Sequence, residues 1–345
     1  MKVRESNFEL LRIICMYMII VHHVLVYGIR LDTLNINSVN FIVCNFLNSI
    51  TIVAVNVYVL ISGYFMIENK FKWNKVIKLH GKVLFYSLSI SIIFWLFRLE
   101  EFNLISLFKS LLPIITFQWW FISYYLVLYI LSPYINKMLN QLNTKEFNIL
   151  IIILICIFVI WPTGAVFIGT INPVSSRTGY DLFNFLLFYV CGAYIKKNDI
   201  KIINKYYYLF SYIFCAVILS LINFFISDYK NKFSDIYNYN FIIIYIASIS
   251  MFLFFKKIKI SNNYSEKINS IASMTLSVYL IHEQRMIREV IYNLFKNEKI
   301  LNNLIFIAYL IIGSMIIFFV CIIIDKVRMY TYYVVKLIFC KKYKH

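Results

Sequence analysis

Apolar stretches of roughly 17–25 residues, the length an α-helix needs to cross a bilayer, recur along the whole chain, separated by short polar or basic segments. They predict helices near 8–28, 42–66, 76–97, 118–135, 147–168, 181–195, 206–227, 240–255, 270–292 and 302–325, which make an all-α polytopic transmembrane bundle of about ten spans. An even number of crossings leaves both termini on one side. A shorter amphipathic piece, 104–115, carries Lys109 and Pro113 and reads as a surface or re-entrant helix. No repeat of fixed period appears, and no pair of Gly/Pro-interrupted spans occupies matching places in two halves, which weighs against an inverted-repeat carrier.

Composition sharpens this picture. Of 345 residues, 61% are hydrophobic and 14% charged, against roughly 45–50% and about 25% in soluble domains. No polar stretch is long enough to fold separately, so residues 1–326 form one membrane domain. Residues 327–345 form a basic cytoplasmic tail whose mixture of Lys, Arg, Tyr, Val, Leu and Ile suits an amphipathic helix on anionic membrane lipids.

The net charge of +18 sits in short clusters between spans rather than along one polar face, so no nucleic acid partner is expected. Across the predicted loops and tails, 21 Lys and Arg lie on one side and 7 on the other. By the positive-inside rule the richer side, with both termini, is cytoplasmic, and the protein is a multi-pass protein of the cell membrane. The seven cysteines are scattered, without a CxxC pair, which indicates neither a disulfide framework nor a zinc site; no metal centre is expected. A removable signal peptide is not expected either, because Glu9 and Arg12 interrupt the first apolar run.

Ionisable groups are costly in hydrocarbon, and the first span holds four: Glu9, Arg12, His22 and His23. At 100° per residue Arg12 and His23 fall within about 20° of one another, Glu9 lies about 60° from Arg12, and His22 is turned about 100° from His23. Arg12, Glu9 and His23 thus share a stripe, with Arg12 near the inner surface and His23 about 22 Å across from Phe8. Such a stripe lines a substrate channel; alternatively Arg12 snorkels to the interface and the histidines mark the outer one.

A second group runs from Ser277 to Glu289 inside the ninth span. As a continuous helix it puts His282 about 18 Å from Ser270, at the depth of His23, with Glu283, Arg285, Arg288 and Glu289 following toward the outside. A neutral imidazole can accept a hydroxyl proton, and a carboxylate or second imidazole can orient it. The other reading is an interhelical cluster with Glu283 paired to Arg285 or Arg288.

A third group is cytoplasmic, where Lys75, Lys78 and Lys82 follow helical spacing beside His80 and form a basic face able to hold phosphates; topology alone accounts for Lys75 but less well for Lys78 and Lys82. Trp119 and Trp120 begin the fourth span, either as interface anchors or as site lining. GxSxG, Walker A and HExxH motifs are absent from the chain.

Five stretches resemble the acyltransferase-3 family of integral membrane acyltransferases, which includes bacterial surface-polysaccharide O-acetyltransferases. They are Asn7-Phe-Glu-Leu-Leu-Arg12 with His23, Leu60-Ile-Ser-Gly-Tyr-Phe65, Trp119-Trp-Phe-Ile-Ser-Tyr124 with Leu131-Ser-Pro133, Val190-Cys-Gly-Ala-Tyr-Ile195, and Val278-Tyr-Leu-Ile-His-Glu283. The resemblance implies a ten-helix bundle in a bacterial inner membrane, with no permanently bound cofactor. Cytoplasmic acetyl-CoA, or another acyl-CoA, serves as donor and a surface or lipid-linked glycan hydroxyl as acceptor.

The family's catalytic first-helix histidine falls on His23 and its first-helix arginine on Arg12. Where relatives carry arginines at the third helix, this chain reads Lys78-Leu-His80-Gly-Lys82, and lysine lacks the bidentate geometry of arginine. Some relatives carry an added extracytoplasmic esterase-like domain, for which this chain has no room.

These readings combine into an expected site. His23, with His282 and Glu283, is catalytic; Arg12, Glu9, Lys78, His80, Lys82, Arg285 and Trp120 bind substrate; Arg285 or Tyr279 serves as oxyanion donor. A transporter or flippase for lipid-linked glycans, or a non-catalytic membrane scaffold, is the alternative.

Overall fold

A computed structural model describes residues 5–168, 179–198, 204–230, 235–296 and 305–342. Of the cations counted above, Lys2, Arg4, Arg177, Lys201, Lys232, Lys299 and Lys344 lie outside these residues. All regular structure among the described residues is helical, with no strand among them.

The helices are α1 (Ser6–His23), α2 (Val39–Thr51), α3 (Ala54–Met66), α4 (Trp73–Leu96), α5 (Leu104–Leu111), α6 (Trp120–Gln141), α7 (Thr144–Ile155) and α8 (Trp161–Ile168). They continue as α9 (Leu182–Lys197), α10 (Lys205–Lys230), α11 (Ile242–Lys256), α12 (Asn262–Ala272), α13 (Thr275–His282), α14 (Arg285–Asn293) and α15 (Ile305–Lys342).

Among the described residues helices occupy all ten predicted stretches, the second and the ninth in pieces, but the count of ten crossings is not reproduced. Six segments are long and apolar enough to span: Ser6–Ile29, Val39–Met66, Trp73–Leu96, Thr144–Ile168, Lys205–Ile226 and Ile305–Val334. Helices α9 and α11 have only 16 and 15 residues, below the roughly 20 that a crossing requires. The expected ninth span is not one helix but three. Gln284 adopts extended backbone and its side chain accepts from the Met286 and Ile287 amides at 2.7 and 3.2 Å, so a glutamine starts a new helix inside what the sequence predicts as one continuous span. The second span also breaks, between Thr51 and Ala54; Thr51 Oγ1 donates back to the Leu47 carbonyl at 2.9 Å, a bond that bends helices. The last helix runs unbroken past Lys326 to Lys342.

Helix α1 stands inside the bundle, against α2, α3, α11, α12, α13 and α15. Its start is tied down by sequence-specific contacts: Asn7 Nδ2 donates to the Phe255 carbonyl at 3.0 Å, and Phe8 is buried among Tyr64, Phe65 and Phe252. Helices α3 and α9 cross through glycine. A methyl on Gly63 would lie 2.0 Å from the Tyr189 carbonyl oxygen, and one on Gly192 2.2 Å from that of Leu60. Small residues let membrane helices approach backbone to backbone, which explains the glycine in each of the two central motifs. Large apolar side chains such as Leu96, Ile105, Ile316 and Phe319 face outward, unlike those of a soluble bundle. The chain is thus a multi-pass membrane protein.

Candidate active site

The first helix delivers its histidines in regular α geometry and then changes pitch. Val24–Ile29 forms a π-helical turn directly after His23, closed by Arg30 in the left-handed conformation; such turns inside helices concentrate at functional sites. On the facing element, α13 ends at His282, and Glu283 and Gln284 turn the chain into α14. The break that sequence periodicity missed is what presents His282 and Glu283 side by side to α1.

Three groups then converge. His23 Nδ1 lies 2.9 Å from Glu283 Oε2 and 3.3 Å from His282 Nε2. His282 is fully buried, and its Nδ1 approaches the Val278 carbonyl at 2.6 Å. A carbonyl oxygen only accepts, so His282 Nδ1 carries the proton and Nε2 presents a lone pair. Facing that lone pair and a carboxylate, His23 Nδ1 must be the protonated nitrogen, which leaves the lone pair of neutral His23 on Nε2. The second carboxylate oxygen, Glu283 Oε1, accepts from Arg288 at 3.0 Å, and the Arg288 guanidinium lies over the Tyr27 ring, 4.9 Å from its centroid.

Two cavities meet here. One of about 520 Å³, termed the inner because Arg12 near the start of α1 borders it (the other is the outer), follows α1 from Arg12, with Ser62 and Tyr125, to His22, His23 and Tyr27, a rise of about 16 Å from Arg12 to His23. The other, of about 610 Å³, is bordered by Glu100, Lys109, Gln118, Glu283, Arg285 and Arg288. Tyr27, Trp120 and Tyr279 border both. Tyr279 is buried, and its hydroxyl has no hydrogen-bond partner among the described residues. Trp120 packs against Tyr180 and Tyr239 at centroid distances of 4.7 and 6.1 Å.

The remaining expected residues fall in separate places. Arg12 borders the inner cavity with NH1 held 2.7 Å from Glu9 Oε1, while its carbonyl accepts from Tyr58. His22 turns to α2, where Nδ1 meets Asn48 Oδ1 at 2.7 Å, yet its ring also borders the inner cavity. Arg285 pairs with Glu100 at 2.7 Å and borders the outer cavity, away from the His23 side. Lys78 and His80 are exposed and border neither cavity. Lys82 turns to α15, its Nζ 3.7 Å from Asp325 Oδ2.

Asp325 is a feature the sequence reading passed over. It is fully buried, and its Oδ1 accepts from Tyr86 at 2.6 Å and Arg328 at 2.7 Å. A lone carboxylate after Ile322-Ile-Ile is the signal that marks it, since an acid at the end of an apolar run needs partners. Tyr180 and Tyr239 were missed for a different reason: nothing in their local sequence distinguishes them from packing aromatics.

The three atoms His23 Nδ1, His282 Nε2 and Glu283 Oε2 all lie within 4.8 Å of one another, close enough to share a proton or a cation. Chemically the arrangement offers an oriented imidazole base, a carboxylate able to stabilise its charged form, and an unspent phenol, at a junction reached from two sides.

No individual protein of known function and no solved structure showed significant similarity to the chain. The family profile described as an acyltransferase domain matches residues 5–326, from the start of α1 to the middle of α15. That match holds the His23 helix, the α3–α9 glycine crossing and the α13 turn in one unit, and the chain belongs to the acyltransferase-3 family.

Proposed function

We propose that this protein transfers an acetyl or other short acyl group from cytoplasmic acyl-CoA to a hydroxyl of a surface or lipid-linked glycan, in the inner membrane of a bacterium. The observation that carries the reading is the position of His23: a histidine of fixed tautomer whose ring borders one cavity, while the carboxylate that faces it borders another.

On this reading the inner cavity takes the thioester arm. The nucleotide end stays at the cytoplasmic mouth near Arg12. The outer cavity, lined by hydroxyl, amide and charged groups, takes the polyhydroxylated acceptor. His23 Nε2 removes the acceptor hydroxyl proton as its oxygen attacks the thioester carbonyl. Glu283 stabilises the imidazolium that results, and the Tyr279 hydroxyl, unpartnered among the described residues, donates to the tetrahedral oxyanion. Collapse breaks the carbon–sulfur bond, and the imidazolium returns its proton to the leaving thiolate. Holding both reactants at one base converts a bimolecular encounter into a positioned one. On the family plan α6, α9, α11 and the α12–α14 segment complete ten crossings, with both termini cytoplasmic.

The test is incubation of membranes with radiolabelled acetyl-CoA. Label entering glycan or lipid-linked sugar, and lost on His23→Ala at unchanged protein level, supports the transferase. A His23→Ala protein that still acetylates removes His23 from the chemistry, and glycan translocation without any label transfer favours a flippase.

A further inference from the structure

We infer that His23, His282 and Glu283 form a three-ligand site for a borderline divalent cation of the zinc class, and that filling it switches the transferase off. Donors bound to tetrahedral zinc at about 2.0–2.1 Å lie roughly 3.3 Å apart. Here two edges of the cluster are 2.9 and 3.3 Å, and all three atoms fall within 4.8 Å. Two imidazole nitrogens and a carboxylate oxygen are a donor set that zinc accepts, with a fourth position left for solvent.

Two further observations point to a ligand. Glu283 Oε2 is buried and faces His23 Nδ1 at 2.9 Å without an aligned hydrogen bond, so this oxygen keeps a lone pair for a further partner. The outer shell is also in place. His282 Nδ1 is held by the Val278 carbonyl and Glu283 Oε1 by Arg288, the supporting bonds that orient histidine and carboxylate ligands at metal sites.

The off-switch follows from proton placement and rests on the reading of His23 as base. Without a cation, the single proton of neutral His23 is on Nδ1 and the lone pair on Nε2. A cation takes the Nδ1 lone pair, so the proton moves to Nε2 through solvent. The imidazole stays neutral and no net proton is released, but Nε2 has become an N–H and can no longer accept the acceptor's proton. The cation acts through the tautomer.

The experiment uses the purified full-length protein in nanodiscs, titrated calorimetrically with zinc chloride, with magnesium chloride as the hard-cation control and neither donor nor acceptor present. One zinc per chain, no magnesium, and affinity lowered in His282→Gln and in Glu283→Gln by more than the roughly 10–100-fold that loss of a supporting partner alone produces support the site. Size-exclusion profiles matching wild type establish that both variants are folded. Absence of saturable zinc binding, or equal binding by both variants, overturns it. In parallel, label transfer from acetyl-CoA is expected to stop with zinc and return with chelator; zinc bound at an unchanged rate overturns the switch. A metal-free wild type that transfers no label would count against the proposed function, and the calorimetric result would stand independently.

Discussion

His23 and Glu283 face each other at 2.9 Å across 260 residues of sequence, one from the end of a long regular helix and the other from the turn that ends a short one. The contact sets the charge balance of the site, since a carboxylate beside an imidazole favours the imidazolium that proton transfer creates. Glu283→Gln is expected to lower the acyl-transfer rate on the order of 10²–10³-fold, within the span general acid–base assistance covers. Initial rates at saturating donor check this, with the donor KM near the wild-type value; a rate within threefold of wild type would refute the role.

The two adjacent histidines should behave differently. His22 spends Nδ1 on Asn48, whereas His23 is held by the α13 pair. We expect His23→Ala to abolish labelled transfer and His22→Ala to retain it within about tenfold, on the view that proton transfer itself is worth 10²–10⁴. Side-by-side membrane assays normalised to protein level decide the matter, and equal losses would mean that the histidines work as a unit.

The α3–α9 crossing makes a stability prediction independent of chemistry. Gly192→Ala places a methyl against the Leu60 carbonyl at 2.2 Å, and overpacking of a tight contact costs about 1–3 kcal/mol or more. Gly81→Ala, with nothing within 4 Å of the added methyl, should be neutral or slightly stabilising, because alanine loses less entropy in a helix. Thermal unfolding in detergent should show a lower Tm for the first variant alone.

Asp325 joins α4 to α15 through Tyr86, Lys82 and Arg328. Removing one partner of a buried ion cluster costs about 3–5 kcal/mol, since the remaining charges lose compensation. Asp325→Ala should therefore lower expression and Tm, and adding Lys82→Met should recover part of the loss. A double variant no better than the single would show that Arg328 alone carries the penalty.

The Arg285–Glu100 pair is a different case, with Arg285 side chain 60% exposed. Exposed pairs contribute about 0–1 kcal/mol, so Arg285→Ala should leave Tm nearly unchanged. Its place on the outer cavity predicts instead a raised KM for the glycan acceptor with the donor KM unaltered. A raised donor KM would move the acceptor site elsewhere.

Much of this site could be read from residue order. The α1 stripe was legible because α1 is regular from Ser6 to His23, so 100° per residue carries Arg12 and His23 to the same cavity. The equal depth of His23 and His282 was also readable, and the 3.3 Å contact agrees with it. The break at Gln284 was not. Its polar side chain caps a helix only because the following amides are presented to it, and helical spacing along the chain does not record such a turn. The third-helix lysines show another limit: spacing puts Lys75, Lys78 and Lys82 on one face, but it does not record that Lys82 faces Asp325, 243 positions away.

By itself the sequence determined that the chain lies in a membrane, that its helices fall where the apolar runs fall, and that His23 shares a stripe with Arg12. These are properties of local hydrophobicity and helical pitch, which each segment carries alone. Only the tertiary structure decided that Glu283 meets His23, that Arg285 turns to Glu100, that Trp120 borders both cavities with Tyr279, and which imidazole nitrogen holds a proton. Those are settled by hydrogen-bond partners brought together from distant segments, where one carbonyl at Val278 orients His282 and, through it, the tautomer of His23.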